Sequence, residues 1–117
     1  MKESVVREKS FVFALRIVKL YQYLSGQKRE FVLSKQLLRS GTAVGALVRE
    51  ADQAESKADF IHKMAISLKE ANETGYWIEL LMKSGYIEEK DGNDIHADLT
   101  ELLKLLTSII KTSRLKT

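Results

Sequence analysis

Not one proline interrupts the 117 residues of this chain, and glycine occurs only six times. Proline removes a backbone donor and clashes with the preceding helical turn, so a chain without it is free to run in long helices. Leu, Lys, Glu and Ala, all strong helix formers, are abundant, and the expected class is all-α. With 44% apolar and 30% charged residues, the balance is that of a soluble globular protein, and the length suits one domain over residues 1–117. Cysteine is absent, which removes disulfides and thiolate metal sites and agrees with a reducing compartment. No basic-then-apolar leader opens the chain and its apolar runs are too short for a membrane span, so the expected location is the cytoplasm, with no membrane partner.

Apolar spacing divides the chain into four helical segments. The first runs from Ser4 or Ser10 to Leu24, with Phe11, Ala14, Leu15 and Val18 on one stripe and Phe13, Ile17, Leu20 and Leu24 beside it. Ser25-Gly26 reads as a left-handed stop and Gln27–Glu30 as the loop. The second, Phe31 to about Ala51, places Leu37, Gly41, Val44, Val48 and Ala51 on one side. Two glycines inside a helix cost about 1 kcal/mol each relative to alanine. Close approach of a bulky neighbour is the expected compensation, with Gly41 level with Leu15 and Gly45 level with Phe11. The third segment opens on Ser56-x-x-Asp59, which resembles a capping box, and continues to Lys83. Ser84-Gly85 ends it, and Tyr86-Ile87 is expected to fold back as an apolar latch. Glu88–Asn93 reads as a turn, after which Ile95, Leu99, Leu102, Leu103, Leu106, Ile109 and Ile110 line a fourth helix. Four helices with three short connections predict an up-down-up-down antiparallel four-helix bundle.

No catalytic constellation emerges. The only histidines, His62 and His96, form no His-xxx-His pair, and Asp59-x-x-His62 and Asn93-x-x-His96 near helix starts fall short of a di-iron pattern. Serines lack a histidine and an acid in motif spacing, and no glycine-rich loop follows a strand. The reading is a protein without enzymatic activity, metal or cofactor.

Charge is the more informative signal. The net charge is only +3, yet residues 1–49 carry ten basic and three acidic side chains, residues 50–101 five and thirteen, and residues 102–117 four and none. Lys35, Arg39, Thr42, Ala46 and Arg49 follow one helical stripe. Lys2, Lys9 and Arg16 recur every seven residues with Lys19 adjoining, and Lys104 and Lys111 do the same on the last helix. Together with Lys28 and Arg29 in a loop, these are the cations a nonspecific phosphate-binding surface needs. Arg39 has a second reading, an ion pair with Glu70 across the next helix. Near these cations only Tyr21 and Tyr23 could stack unpaired bases. Tyr76 and Trp77 read either as core-edge packing, with Trp77 near Glu101, or as a subunit contact.

Leu37-Leu38-Arg39-Ser40-Gly41-Thr42-Ala43-Val44, then Glu50, Glu55-Ser56-Lys57-Ala58-Asp59-Phe60-Ile61, Ala65-Ile66-Ser67-Leu68-Lys69-Glu70-Ala71 and Gly85-Tyr86-Ile87 resemble the four-helix bundle proteins of 23S ribosomal RNA intervening sequences. The resemblance spans about Phe11 to Ile110. It implies a ring-like homo-oligomer, commonly a pentamer, without catalysis. A related branch is the accessory variability determinant of diversity-generating retroelements, which binds nucleic acid and a reverse transcriptase. Where members often read Asn-Ile-Ala-Glu-Gly, this chain reads Leu47-Val48-Arg49-Glu50-Ala51. Two functional expectations follow. One is a homo-oligomer binding RNA or DNA backbone through Lys9, Arg16, Lys19, Lys28, Arg29, Lys35, Arg39 and Arg49. The other is a structural or protein-adaptor oligomer whose charges serve subunit pairing.

Overall fold

The computed structural model describes residues 2–116; Met1 and Thr117, the ends of the expected domain, lie outside the described residues. Four helices account for nearly all of it: α1 (Lys2–Gly26), α2 (Leu33–Asp52), α3 (Lys57–Lys83) and α4 (Glu89–Leu115), with no strand among the described residues. Each helix packs on its successor and α4 closes on α1, while among the described residues the backbones of the diagonal pairs stay apart. The result is the expected antiparallel bundle, four-cornered and 49 × 22 × 19 Å.

Helix ends differ in detail from the sequence reading. Gly26 is the last residue of α1 instead of a left-handed stop, and the left-handed residue of the turn is Arg29, at φ 57°. Glu30 then folds its side chain over the start of α2. Its carboxylate accepts from the backbone N–H groups of Val32 (3.2 Å), Leu33 (3.0 Å) and Ser34 (2.7 Å), three donors a helix start cannot satisfy internally. Burial pushes this carboxyl upward, but the three N–H bonds outweigh it and hold the pKa below the ordinary glutamate value. At α3 the expected cap forms: Ser56 Oγ accepts from Asp59 N at 3.0 Å, while Asp59 reaches back to the N–H of Glu55 at 3.2 Å, one residue earlier than a capping box prescribes. Gly85, at φ 87°, turns the chain after α3, and the N–H of Tyr86 donates to Leu81 O at 2.9 Å. Ile87 is buried by this fold-back, as the sequence predicts.

The fourth helix starts at Glu89, so Asp91-Gly92-Asn93 lies within it and is not a turn. Gly92 lies directly under the Met82 side chain, which a Cβ there would displace. The expected close approach at the glycines of α2 is also found, made by other residues of α1. A Cβ on Gly41 would meet Ile17 at 2.8 Å, and one on Gly45 would meet the carbonyl oxygen of Ser10 at 3.3 Å. Leu15 and Phe11, the partners expected from sequence, stand on the exposed side of α1, with Phe11 beside Gly45 at the edge of a hollow and not in the notch.

Val6, Phe13, Ile17 and Leu24 are therefore the core face of α1, packed with Leu37, Val44 and Val48 of α2, Met64, Ala71, Ile78 and Leu81 of α3, and Leu99, Leu102, Leu106 and Ile109 of α4. Each large side chain taken from water contributes roughly 1.5–3 kcal/mol. Hydroxyls are buried among them. Ser67 Oγ donates to Val44 O at 2.9 Å, and Thr74 Oγ1 lies 3.0 Å from Ser40 Oγ and 2.8 Å from Glu70 O. Among the described residues no buried side-chain nitrogen or oxygen lacks a partner.

Candidate nucleic-acid and subunit surfaces

The cations that the sequence groups into stripes divide into two sets. The heptad series on α1 runs along the seam with α4, because a seven-residue interval returns a side chain to the same flank of a helix contact. Lys2 Nζ donates to Ser108 Oγ at 2.6 Å, Lys9 pairs with Glu101 at 3.2 Å, and Arg16 bridges Asp94, at 2.9 Å, and Asp98. Burial lowers the affinity of the Arg16 guanidinium for its proton, and the hydrogen bonds and charges of Asp98 and Asp94 overcome this and raise it. Arg39 is held on the other side of the bundle. It reaches Glu70 at 3.1 Å, as the level counting predicts, and also Glu73 and Gln36.

Lys19, Lys28, Arg29, Lys35 and Arg49 form no ion pair among the described residues. All five are exposed. Three of them lie over aromatic rings: Lys28 over Tyr23 at 5.9 Å, Arg29 over Phe31 at 5.3 Å and Arg49 over Phe11 at 5.2 Å. Lys28 and Arg29 lie in the α1–α2 turn and Lys35 on the first turns of α2, so these three share one end of the bundle. Lys19 lies about two turns of α1 below that end, whereas Arg49 stands near the opposite end of α2. Lys104 and Lys111 line a shallow strip of α4 with Thr107 and Ser108.

Tyr76 and Trp77 take different environments. Tyr76 is 60% exposed, while Trp77 is half-buried at the core edge and donates its indole N–H to Glu73 at 2.9 Å. Their rings meet edge to face at 5.0 Å. Glu101, expected beside Trp77, pairs with Lys9 instead.

The apolar surface that sequence reasoning missed is on α1. Phe11 (49% exposed), Val12, Leu15 (50% exposed) and Val18 stand on the side away from the core. The signal was present as a second apolar stripe on a helix that needs only one. A hollow between α1 and α4 is also new, lined by Leu20, Tyr23, Ile87 and Ile95 and by charges of both signs, Arg16 and Lys19 with Glu88 and Asp91. His62 is exposed and His96 half-buried, and among the described residues no three His, Asp or Glu side chains converge as a metal site would require. No described helix is long and apolar enough to cross a membrane.

Comparison with known proteins follows the same lines. The chain is similar to a crystal structure from Bacteroides thetaiotaomicron described as a protein of unknown function from the S23 ribosomal protein family. The two share 58% identity over 95% of this chain and 99% of the other, with a TM-score of 0.94. No curated protein matches it. Residues 2–108 match the family model described as 23S rRNA-intervening sequence protein. With that match running through all four helices, the chain belongs to the 23S rRNA-intervening sequence protein family.

Proposed function

We propose that this protein is a non-catalytic homo-oligomer that holds the sugar-phosphate backbone of RNA or DNA on its α1–α2 hairpin. The five-membered ring implied by the resemblance is its expected stoichiometry. The supporting observation is the partition of its cations: Lys19, Lys28, Arg29, Lys35 and Arg49 carry no internal counter-ion, whereas Lys9, Arg16 and Arg39 do. The unpaired set supplies the phosphate contacts, because a lysine or arginine already bridging carboxylates must exchange one anion for another. The exposed ion pairs contribute at most about 1 kcal/mol each and can yield to phosphate at low salt.

Titration of the purified protein with RNA and with DNA oligomers at several salt concentrations tests this reading. Binding should weaken steeply as salt rises. Lys35→Ala and Arg49→Ala should each reduce the salt slope by about one. Absence of any association at low salt would defeat the nucleic-acid reading. The α1 apolar stripe favours a second reading, in which the oligomer is a structural or adaptor protein; its mass in solution would then persist with no nucleic acid bound.

A further inference from the structure

The face shared by α3 and α4 carries its own cations, toward the end of the bundle where the α2–α3 turn lies. Lys57 and Lys69 stand on α3, and Lys104, Lys111 and Arg114 on α4. All five are exposed, and none forms an ion pair among the described residues. Contacts across the seam set their register. Gly75 faces Leu99, and Gly92 lies under Met82, which brings Lys69 level with Lys104 and His62 level with Lys111.

Acidic side chains at the same levels turn to other helices. Glu70 reaches across to Arg39 of α2, Glu101 pairs with Lys9 of α1, and Asp59 folds back on the N–H of Glu55. Glu50 likewise draws Lys63 away toward α2. What remains over the α3–α4 seam is a strip of one sign. Thr100, Leu103 and Thr107 line its α4 side between the lysines. Thr107 is exposed, and its hydroxyl has no hydrogen-bond partner among the described residues, whereas Thr100 already donates to His96 O.

This strip and the α1–α2 hairpin are far apart. The helices follow one another around the bundle, so the α1–α2 and α3–α4 sides face opposite ways. Lys28, Arg29 and Lys35 also occupy one end, and Lys57, Lys111 and Arg114 the other. The two regions differ in kind as well. Lys28, Arg29 and Arg49 lie over aromatic rings, while none of the exposed residues of the strip is aromatic.

We infer that the α3–α4 strip is a second seat for sugar-phosphate backbone, so that one protomer holds two nucleic-acid segments at once on opposite sides. From Lys57 to Lys69 the strip runs about 18 Å along α3. A strand rising 3.4 Å per nucleotide covers that length in about five nucleotides. With no ring to stack an unpaired base, the seat grips phosphate alone and takes duplex and single strand alike. An acidic lipid surface is the poorer fit, since it calls for an apolar face and the strip offers only the half-buried Leu103 between its lysines. The inference rests on the nucleic-acid half of the proposed function and adds to it the joining of two segments.

A capture experiment tests the second seat. An RNA duplex fixed on beads is loaded with the full chain and then offered a second, labelled RNA duplex, with circular dichroism checking that each variant folds. The wild type should retain the labelled duplex. Lys104→Glu with Lys111→Glu should cut that retention several-fold, and Lys104→Arg with Lys111→Arg should keep it. Joining by several hairpins of one assembly would not depend on Lys104 or Lys111. A charge-reversed variant that captures the second duplex as well as the wild type therefore overturns the seat, while the hairpin reading stands. Lys28→Glu with Lys35→Glu should leave residual RNA binding that the α3–α4 reversals then remove; complete loss from the hairpin variant alone also overturns the seat. Retention of acidic-lipid vesicles through Lys104 and Lys111 with no second RNA captured would give the strip to a membrane instead. A wild type that loads on no RNA or DNA at low salt removes both the seat and the nucleic-acid reading.

Discussion

Helix α1 makes two seams of opposite character. Against α2 it is sunk into the notches of Gly41 and Gly45, with Ile17 and the Ser10 carbonyl occupying the space of the missing side chains. Along α4 it is set farther out, over hollows, and its rim is stitched by Lys9–Glu101 and Arg16–Asp94/Asp98. One seam is locked by shape, whereas the rim of the other is held by charge over its share of the apolar core. Shape of this kind cannot be re-formed in another arrangement, whereas exposed ion pairs exchange partners readily, so the α1–α4 side is the one open to outside contacts.

Substitution at Ile17 gives the largest test of that contrast. Ile17→Ala empties the notch and should cost about 3 kcal/mol in urea unfolding. A loss below about 1 kcal/mol would mean that the shape-matched seam is a misreading. Gly41→Ala should come next, at about 1–2 kcal/mol destabilising, because overpacking by the rigid branch of Ile17 exceeds the gain of about 1 kcal/mol in helix propensity. Combined, the two should cost less than their sum, since the new methyl fills part of the cavity.

Glu30→Gln probes the turn joining α1 to α2 and should cost about 1 kcal/mol at neutral pH. Its folded pKa is depressed, so the stabilisation is complete above the ordinary glutamate value of 4.5 and is lost as pH falls through the lower folded value. Denaturation curves of wild type and variant should therefore converge in acid; a gap that persists there would show that charge at this cap is not the cause. The smallest effect is expected at the other seam. Asp98→Asn should cost less than about 1 kcal/mol, and the cost should shrink further in high salt. An effect as large as that of Ile17→Ala would erase the contrast between the seams.

Much of this was legible from residue order. Leu37, Val44 and Val48, or Leu99, Leu102 and Leu106, recur at helical intervals with polar residues between, and only one face of each helix can be core. The short turn between α2 and α3 fixes their register, so Arg39 could be set level with Glu70 by counting alone. Arg16 and its acids could not be paired that way, because the first and last helices share no turn and their register is set only by the assembled bundle. Helix α1 was ambiguous for another reason. Phe11, Leu15 and Val18 are as apolar as Phe13, Ile17 and Leu24, and the choice between the stripes is made by which face of α1 turns to the glycine notches on α2, which the assembled bundle alone fixes. Gly92 was misread because a glycine between Asp and Asn has the composition of a turn, while its need for space under Met82 is visible only in three dimensions. Among the candidate site residues, the sequence foresaw that Arg39 is spent on Glu70 but not that Lys9 and Arg16 are spent on the acids of α4.

The buried hydroxyls between α2 and α3 act like teeth cut for one setting. Sliding α3 along α2 by a single helical turn would part Thr74 from Ser40 and take Ser67 away from the Val44 carbonyl, and a buried polar atom left without a partner costs about 1–3 kcal/mol, while the aliphatic contacts would tolerate the slip far better. Any movement this protein makes on meeting a partner should therefore carry α2 and α3 together as one rigid blade, with play confined to the side where α1 faces α4.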